Sequence, residues 1–312
     1  MTATLKLKGR EVTKGLRFPE GPIAMADGSV LLVEIERGTL SRVDPEGRVE
    51  VVAHTGDGPN GAAIGPDGKC YICNNGGFRW LHESGGYMRP NGRADNYRGG
   101  RIERIDLVTG KIEELYRECN GIPLKGPNDI VFDGKRGFWF TDLGKVSERQ
   151  MDRGGVYYAR SDGSLIKEAV FPIITPNGVG LSPDGNTLYV AETETSRLWS
   201  FRITGEGELE KQPWPSPHGG KLVIGLPGYQ RFDSMAVEAG GNVCVATLIR
   251  GGISVISPAG ELVEFHEAPE HYCTNIAFGG ADMRKAYVTL SNYGTLLEVD
   301  WPRPGLRLHY QE

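Results

Sequence analysis

The sequence predicts an all-β fold, a six-bladed β-propeller with four antiparallel strands in each blade. Three observations lead to this prediction: six segments share one pattern of polar and apolar residues, turn dipeptides recur in register within them, and helical periodicity is missing between the predicted strands. Glycine is abundant, with 45 residues among 312, which suits many short strands joined by tight turns. We expect residues 1–312 to form a single propeller domain.

Each of the six segments opens with a polar side chain, followed by alternating aliphatic residues, a Gly-containing turn and a second apolar strand. The opening residues, which mark the blade starts, are Glu20, Asn60, Asn128, Asn177, Asp233 and Asn275. Turns such as Asp27-Gly28 and Asp184-Gly185 supply the positive φ angles that tight hairpins require. Because a second hairpin follows in each segment, the count of strands is that of a six-bladed propeller.

Two further features concern the edges of this repeat. The strand-like residues 11–16 are expected to close the ring by adding to the last blade near residues 306–309, after a turn at residues 302–305. Residues 75–99 separate the second and third predicted strands of the second blade and contain several aromatic side chains. We expect this insertion to be a lid over one mouth of the channel, and an ordered surface loop is the alternative.

The six opening residues are expected to lie near one another, because all inner strands of a propeller enter the channel from the same face. Carboxylates and amides in such a position are poor core filling, since a buried carboxylate without a partner costs several kcal/mol. The donors are all oxygen, with no Cys or His, which favours a hard divalent cation. Ca²⁺ is the first choice and Mg²⁺, Mn²⁺ or Zn²⁺ are alternatives. The competing interpretation is that these side chains only cap strand ends.

Composition excludes several other classes. The formal net charge of −5 and the lack of a basic cluster argue against a nucleic-acid partner, and no apolar run is long enough for a membrane span. Without a secretory signal pattern at the start of the chain, a cytoplasmic protein is expected. Five cysteines argue against a disulfide framework, and Cys70 and Cys73 are interpreted as structural. The oligomeric state is left open.

Four stretches resemble the regucalcin/gluconolactonase (senescence-marker-protein-like) family of six-bladed propellers, to which diisopropyl fluorophosphatase is related in architecture. They are Phe18-Pro-Glu-Gly-Pro, Gly126-Pro-Asn-Asp-Ile, the run Thr175-Pro-Asn-Gly-Val-Gly-Leu-Ser-Pro-Asp-Gly-Asn-Thr-Leu-Tyr-Val-Ala-Glu-Thr, and Phe232-Asp-Ser-Met-Ala-Val. The resemblance implies an enzyme that hydrolyses a small-molecule lactone (cyclic ester) with a metal-polarised carbonyl and an activated water. It implies Glu20, Asn177 and Asp233 as metal ligands, Asn128 as a further ligand or substrate contact, and Asp233 in proton transfer.

One departure bears on the substrate. Sugar-lactone members of this family commonly carry an arginine at the position of Gly126, so a simple sugar lactone is not expected here, and the aromatic insertion suits a larger or less polar lactone. The expected substrate-binding residues are Asn60, Phe78, Arg79, Trp80, His271 and Asn275. His271 and His218 are alternative bases.

Two other functions stay open from the sequence. One is phosphotriesterase-like or other metal-dependent chemistry in the same channel site, and the other is calcium binding without catalysis. No G-x-S-x-G motif or Cys–His signature supports a covalent nucleophile.

Overall fold

The computed structural model describes residues 3–311, which fold into six antiparallel sheets around a central channel, and contain strands but no helix. Two strands, β1 (Ala3–Lys6) and β2 (Gly9–Thr13), precede the first blade. The predicted six-bladed β-propeller is therefore confirmed. No helix suited to crossing a membrane occurs within residues 3–311.

The first three blades follow in chain order, and each inner strand is given first. Blade 1 contains β3 (Pro19–Ala24), β4 (Val30–Glu34), β5 (Thr39–Val43) and β6 (Val49–His54). Blade 2 contains β7 (Pro59–Ile64), β8 (Cys70–Asn74), β11 (Arg101–Ile105) and β12 (Ile112–Tyr116), with a separate hairpin of β9 (Phe78–His82) and β10 (Met88–Arg93) inserted after β8. A two-residue pair, β13 (Glu118–Cys119) and β14 (Ile122–Pro123), leads into blade 3, which contains β15 (Pro127–Phe132), β16 (Gly137–Asp142), β17 (Gly154–Arg160) and β18 (Ile166–Ile173).

The remaining three blades repeat this arrangement. Blade 4 contains β19 (Pro176–Leu181), β20 (Thr187–Glu192), β21 (Arg197–Gly205) and β23 (Lys221–Gly225), with β22 (Glu208–Leu209) on the end of β21. Blade 5 contains β24 (Arg231–Val237), β25 (Val243–Leu248), β26 (Gly252–Ile256) and β27 (Leu262–Glu267). Blade 6 contains β28 (Cys273–Gly279), β29 (Lys285–Leu290) and β30 (Thr295–Asp300), and its fourth strand is β2.

The ring closes through the N-terminal strands. β2 pairs antiparallel with β30, with Gly9 opposite Val299, and β1 adds a fifth, parallel strand to β27 of blade 5. The last blade was thus predicted correctly as the place of closure, but the predicted partner at residues 306–309 was wrong. Because the fourth strand of blade 6 comes from the other end of the chain, residues 302–305 are not a hairpin turn. The residues after them cross the base of the channel, where the Gln311 amide donates to the Ala24 and Phe278 carbonyls.

Apolar side chains fill the spaces between neighbouring blades. Tyr71 of blade 2, for example, contacts Phe132 and Phe138 of blade 3, with ring centroids 5.0 and 5.8 Å apart. All five cysteines are buried and free, and burial raises the pKa of Cys70 to about 12. A thiol in that state is neither a metal ligand nor a nucleophile at neutral pH, which agrees with the structural interpretation.

Candidate active site in the central channel

The six inner strands bring the predicted polar residues to one end of the channel, and all six side chains are buried. We call these six residues, together with Asp129 next to Asn128, the ring residues or the ring. Each inner strand contacts the inner strands of the two adjacent blades. Close to its start, each inner strand shifts its pairing with the next strand of its blade by one residue. Such bulges bend a strand and redirect its side chains. The polar residue at the start of each inner strand can therefore point in a direction that the regular alternation of the following apolar residues would not give it.

Small residues beside the polar ones allow the inner strands to approach closely. A side chain at Gly61 would place its Cβ 2.5 Å from the Asn128 carbonyl oxygen, and one at Gly178 would place it 2.7 Å from the Asp233 carbonyl oxygen. Neither position tolerates a Cβ without movement of the neighbouring backbone. Where a glycine follows the polar residue, as at Gly61 and Gly178, it therefore lets neighbouring inner strands lie closer together around the channel.

Glu20 joins blades 1 and 6. Its carboxylate accepts hydrogen bonds from the Asn275 amide and from the Gly21 backbone N–H, both at 2.8 Å. Burial raises the pKa of Glu20 to about 7, although these hydrogen bonds oppose the shift. Asn275 thus orients Glu20, in addition to its predicted place near the substrate.

Asp233 lies near Glu20 and Asn177. Burial is the main reason that the pKa of Asp233 is raised well above its ordinary value, and the charge of Glu20 adds to it, while a hydrogen bond with Asn177 opposes it. Asn177 also accepts a long hydrogen bond, of 3.4 Å, from the Ser234 hydroxyl. Asp233 is therefore coupled to Glu20 through charge and to Asn177 through a hydrogen bond.

Asp129 is a third buried carboxylate in this region, and the sequence analysis missed it. Its oxygens accept hydrogen bonds from the Ile130 N–H at 2.9 Å and from the Val179 N–H of blade 4 at 3.3 Å. Burial, followed by the charge of Glu20, raises the pKa of Asp129 to about 7. The sequence feature that could have indicated it is the Asn-Asp pair at the start of β15. It was not used because strict alternation along a strand places Asp129 on the face opposite to Asn128.

Asn128 and Asn60 complete the set. The Oδ1 atom of Asn128 is buried and has no hydrogen-bond partner among residues 3–311, which is the state expected of an oxygen that is free to bind a cation. Asn60 is buried at the start of β7.

The ring residues fit a hard cation held by mixed ligands. Across residues 3–311, no Lys, Arg or His forms an ion pair with Glu20, Asp129 or Asp233. No group of three or more His, Cys, Asp and Glu side chains is placed to hold a metal in the part of the chain that the structure describes. A cation here would consequently need amide oxygens beside carboxylates, as the predicted ligand set requires.

The inserted hairpin lies at the same end of the channel. Trp80 packs against Phe18, which precedes Glu20 by two residues, with ring centroids 5.0 Å apart, and Phe78 contacts Trp80 at 6.0 Å. Tyr87 contacts Tyr272, which precedes the start of β28, at 6.4 Å. The predicted lid is thus an ordered hairpin whose aromatic side chains face residues next to the ring.

Three other predicted residues lie outside this group. Arg79 is exposed and faces Asp95 at 3.9 Å, and His271 is exposed, with its Nδ1 atom 2.8 Å from the Ile249 carbonyl oxygen. The side chain of His218 packs inside blade 4 against Trp199, where burial lowers its pKa to about 4. His218 is therefore not among the groups beside the ring.

Comparison with known proteins gives one family. The sequence profile described as the SMP-30/Gluconolactonase/LRE-like region matches residues 18–292. A protein named lactonase drp35 from Staphylococcus haemolyticus is 30% identical over 250 residues, which are 79% of this chain and 68% of that protein. Its namesake from Staphylococcus epidermidis is 28% identical over the same shares of the two chains.

Solved structures share the fold. A gluconolactonase from Xanthomonas campestris superposes with a TM-score of 0.72 at 21% identity, covering 93% of this chain and 88% of the other. A calcium-binding protein, regucalcin, from Agrobacterium tumefaciens superposes with a TM-score of 0.75 at 20% identity, covering 99% and 100%. At these identities the likeness concerns the fold alone.

Proposed function

The chain belongs to the SMP-30/gluconolactonase/LRE-like family, and from this membership we propose that it is a metal-dependent lactonase acting in the mouth of its channel. Two relatives named lactonase support hydrolysis of a cyclic ester, and a fold neighbour described as calcium-binding supports Ca²⁺ as the cation. The rest of the proposal depends on the ring residues.

The observation that carries the proposal is the unbalanced negative charge of the ring. Within residues 3–311, Glu20, Asp129 and Asp233 are buried together and form no ion pair, and Asn128 presents an oxygen without a hydrogen-bond donor. Burial disfavours the ionised form of all three carboxyl groups, and the charge of Glu20 adds to this effect at Asp129 and Asp233. A divalent cation would balance this charge and take up the free Asn128 oxygen.

Each ring residue has a role in the proposed reaction. Glu20, Asn128, Asn177 and Asp233 would hold the cation, which when bound supplies Lewis-acid polarisation of the ester carbonyl. Asp233 would accept the proton of the attacking water through a carboxylate oxygen that the cation leaves free, because a carboxylate beside a bound cation can take up that proton. Asn275 keeps the Glu20 carboxylate in place, and Asn60 is available to contact the substrate.

The proposed substrate is a lactone less polar than a sugar lactone. The Gly126 N–H donates to Asp142 at 2.7 Å, and a Cβ at this position would lie 2.5 Å from the Gly144 carbonyl oxygen. No arginine fits there on this backbone. The neighbouring surfaces are instead aromatic, from Trp80 of the hairpin to Phe18, and such surfaces favour an apolar substituent on the ester.

A lactone panel measured with and without chelator tests the proposal. We expect hydrolysis of an aryl-fused six-membered lactone to exceed that of a glucose-derived lactone, to stop with EDTA and to return with Ca²⁺. Asp233→Asn should lose activity, whereas Asp162→Asn, on an exposed turn, should not. Activity that persists in EDTA would refute the metal mechanism. Turnover of a phosphotriester alone would favour the phosphotriesterase alternative, and tight Ca²⁺ binding without turnover would favour a calcium-binding protein.

A further inference from the structure

The inserted hairpin contacts the propeller at several places, which include Trp80 against Phe18, the Arg93 N–H donated to the Val146 carbonyl at 3.1 Å, and His82 Nε2 at 2.9 Å from Glu36. Hydrogen bonds also attach it at its base and at its far end. At its base, the Lys145 amine of blade 3 donates to Asn75 Oδ1 at 2.9 Å and to the Gly77 carbonyl at 3.0 Å. At its far end, the Met88 N–H donates to the Asn292 carbonyl at 3.0 Å, and the Asn292 side-chain amide donates to the Met88 carbonyl at 2.8 Å. The backbone carbonyl and the side-chain amide of Asn292 therefore fix the far end of the hairpin to blade 6.

Asn292 is itself held by a buried carboxyl group. Glu270 accepts the Asn292 N–H at 2.8 Å, and it also accepts a backbone hydrogen bond from Tyr293. Glu270 forms no ion pair within residues 3–311, and burial raises its pKa to about 7. The charge of Glu270 acts on Tyr87 and Cys273, whose pKa values it helps to raise, and neither of these groups is a cation.

The hydrogen bonds of Asn292 to Met88 help to position the hairpin aromatic nearest to blade 6, which is Tyr87. Tyr87 immediately precedes Met88 and contacts both Tyr272 and Tyr293, at 6.4 and 5.9 Å between ring centroids. A change at Asn292 would therefore move an aromatic side chain that faces the start of β28. Glu270 is thus connected to the channel mouth through Asn292 and through the hairpin residues Tyr87 and Met88. None of the ring residues takes part in this connection.

We propose that Glu270 is a positioning residue, which fixes Asn292 and thereby holds the hairpin closed against the channel mouth. The hairpin completes the aromatic surface beside the ring, so the affinity for substrate depends on Glu270 although this side chain does not contact the ring. The kinetic part of this inference rests on the proposed lactonase function. The structural part, closure of the hairpin, does not.

The two parts are tested by separate measurements on the full chain. Glu270→Ala removes the acceptor, Glu270→Gln keeps an acceptor oxygen without charge, and Glu267→Ala alters an exposed glutamate three residues earlier as a matched control. Hydrogen exchange of residues 78–93 reports the hairpin directly. We expect Glu270→Ala to speed this exchange at least about tenfold, a loss of roughly 1.4 kcal/mol of local protection, with the blades unchanged. Glu270→Gln should restore most of the protection, and Glu267→Ala should match the wild type.

Kinetics separate positioning from general stability. Glu270→Ala should raise KM for an aryl-fused lactone severalfold with little change in kcat, because the ring is intact and the aromatic surface is lost. If Glu270→Ala fails to fold, Asn292→Ala replaces it, since this change removes the amide that donates to Met88. Unchanged exchange of residues 78–93 in the folded variant would overturn the inference. A wild type without lactonase activity would instead refute the proposed function, and the exchange measurement would still decide the role of Glu270.

Discussion

Replacing Lys145 by methionine should change how the stability of the protein depends on pH. Lys145 is almost completely buried, and burial lowers its pKa from 10.5 to about 7, against the opposing effect of the Asp142 charge. Between these two pH values the unfolded chain holds a proton that the folded protein has lost, so the free energy of unfolding increases with pH. At about 1.36 kcal/mol for each pH unit, the increase between pH 7 and pH 10 is roughly 4 kcal/mol.

Urea unfolding at pH 7 and pH 10 measures this contribution. Other titrating groups are common to both proteins and cancel when the free energy of unfolding of Lys145→Met is subtracted from that of the wild type. This difference should be more positive at pH 10 than at pH 7 by roughly 4 kcal/mol. Lys111→Met, at an exposed lysine, is the control and should show no such increase. A difference that stays constant within about 1 kcal/mol would refute the reasoning, since it would mean that burial does not perturb the Lys145 amine.

Three further predictions follow from the ring and the closure of the blades. Asp233→Asn should lower the proposed lactonase activity by roughly 100-fold or more in a lactone assay. The same change should raise the melting temperature in EDTA, measured by calorimetry, because it removes a carboxylate that repels its neighbours. A lower melting temperature would contradict this prediction. Gly126→Ala should destabilise the fold by about 2 kcal/mol, because its Cβ would lie 2.5 Å from the Gly144 carbonyl oxygen, and an unchanged urea midpoint would contradict that contact. Arg303→Ala should lower the free energy of unfolding by about 3 kcal/mol, because the fully buried Glu238 loses the guanidinium that donates to it at 2.7 Å. Urea unfolding measures this loss. A loss below about 1 kcal/mol would show that the hydrogen bonds from Trp301 and Asn242 are enough to stabilise the Glu238 carboxylate.

The repeat was predictable because its strongest signals are local. A polar residue, a small or apolar residue after it, aliphatic alternation and a turn glycine each have a physical reason at their position, and the six copies reinforce one another. Closure of the ring was not predictable in detail. β2 exposes most of its residues at the edge of blade 6, so it lacks the apolar alternation that marks the inner strands. Nothing local therefore distinguishes β2 from the residues after β30 as the fourth strand.

The site was predictable where a single strand start supplies the side chain. Glu20 and Asp233 occupy the expected ends of β3 and β24, and both are buried. Asp129 was missed because the bulge in β15 breaks the alternation on which the prediction depends. His218 was placed at the mouth from its position in a loop, but only the folded chain reveals that this loop turns inward against Trp199.

Local capping, the simplest competing explanation of the ring, accounts for only part of it. Glu20, Asp129 and Asn275 each accept the N–H of the next residue, so these side chains do cap the bulges of their strands. An amide oxygen would serve equally well, as Asn275 demonstrates, and it would avoid the cost of burying a charge. Capping therefore explains why the side chains are oxygen-bearing and does not explain why Glu20, Asp129 and Asp233 are carboxylic acids. Their acidity is useful only to a group that needs negative charge or a base at this place, which is why we assign the ring a chemical role.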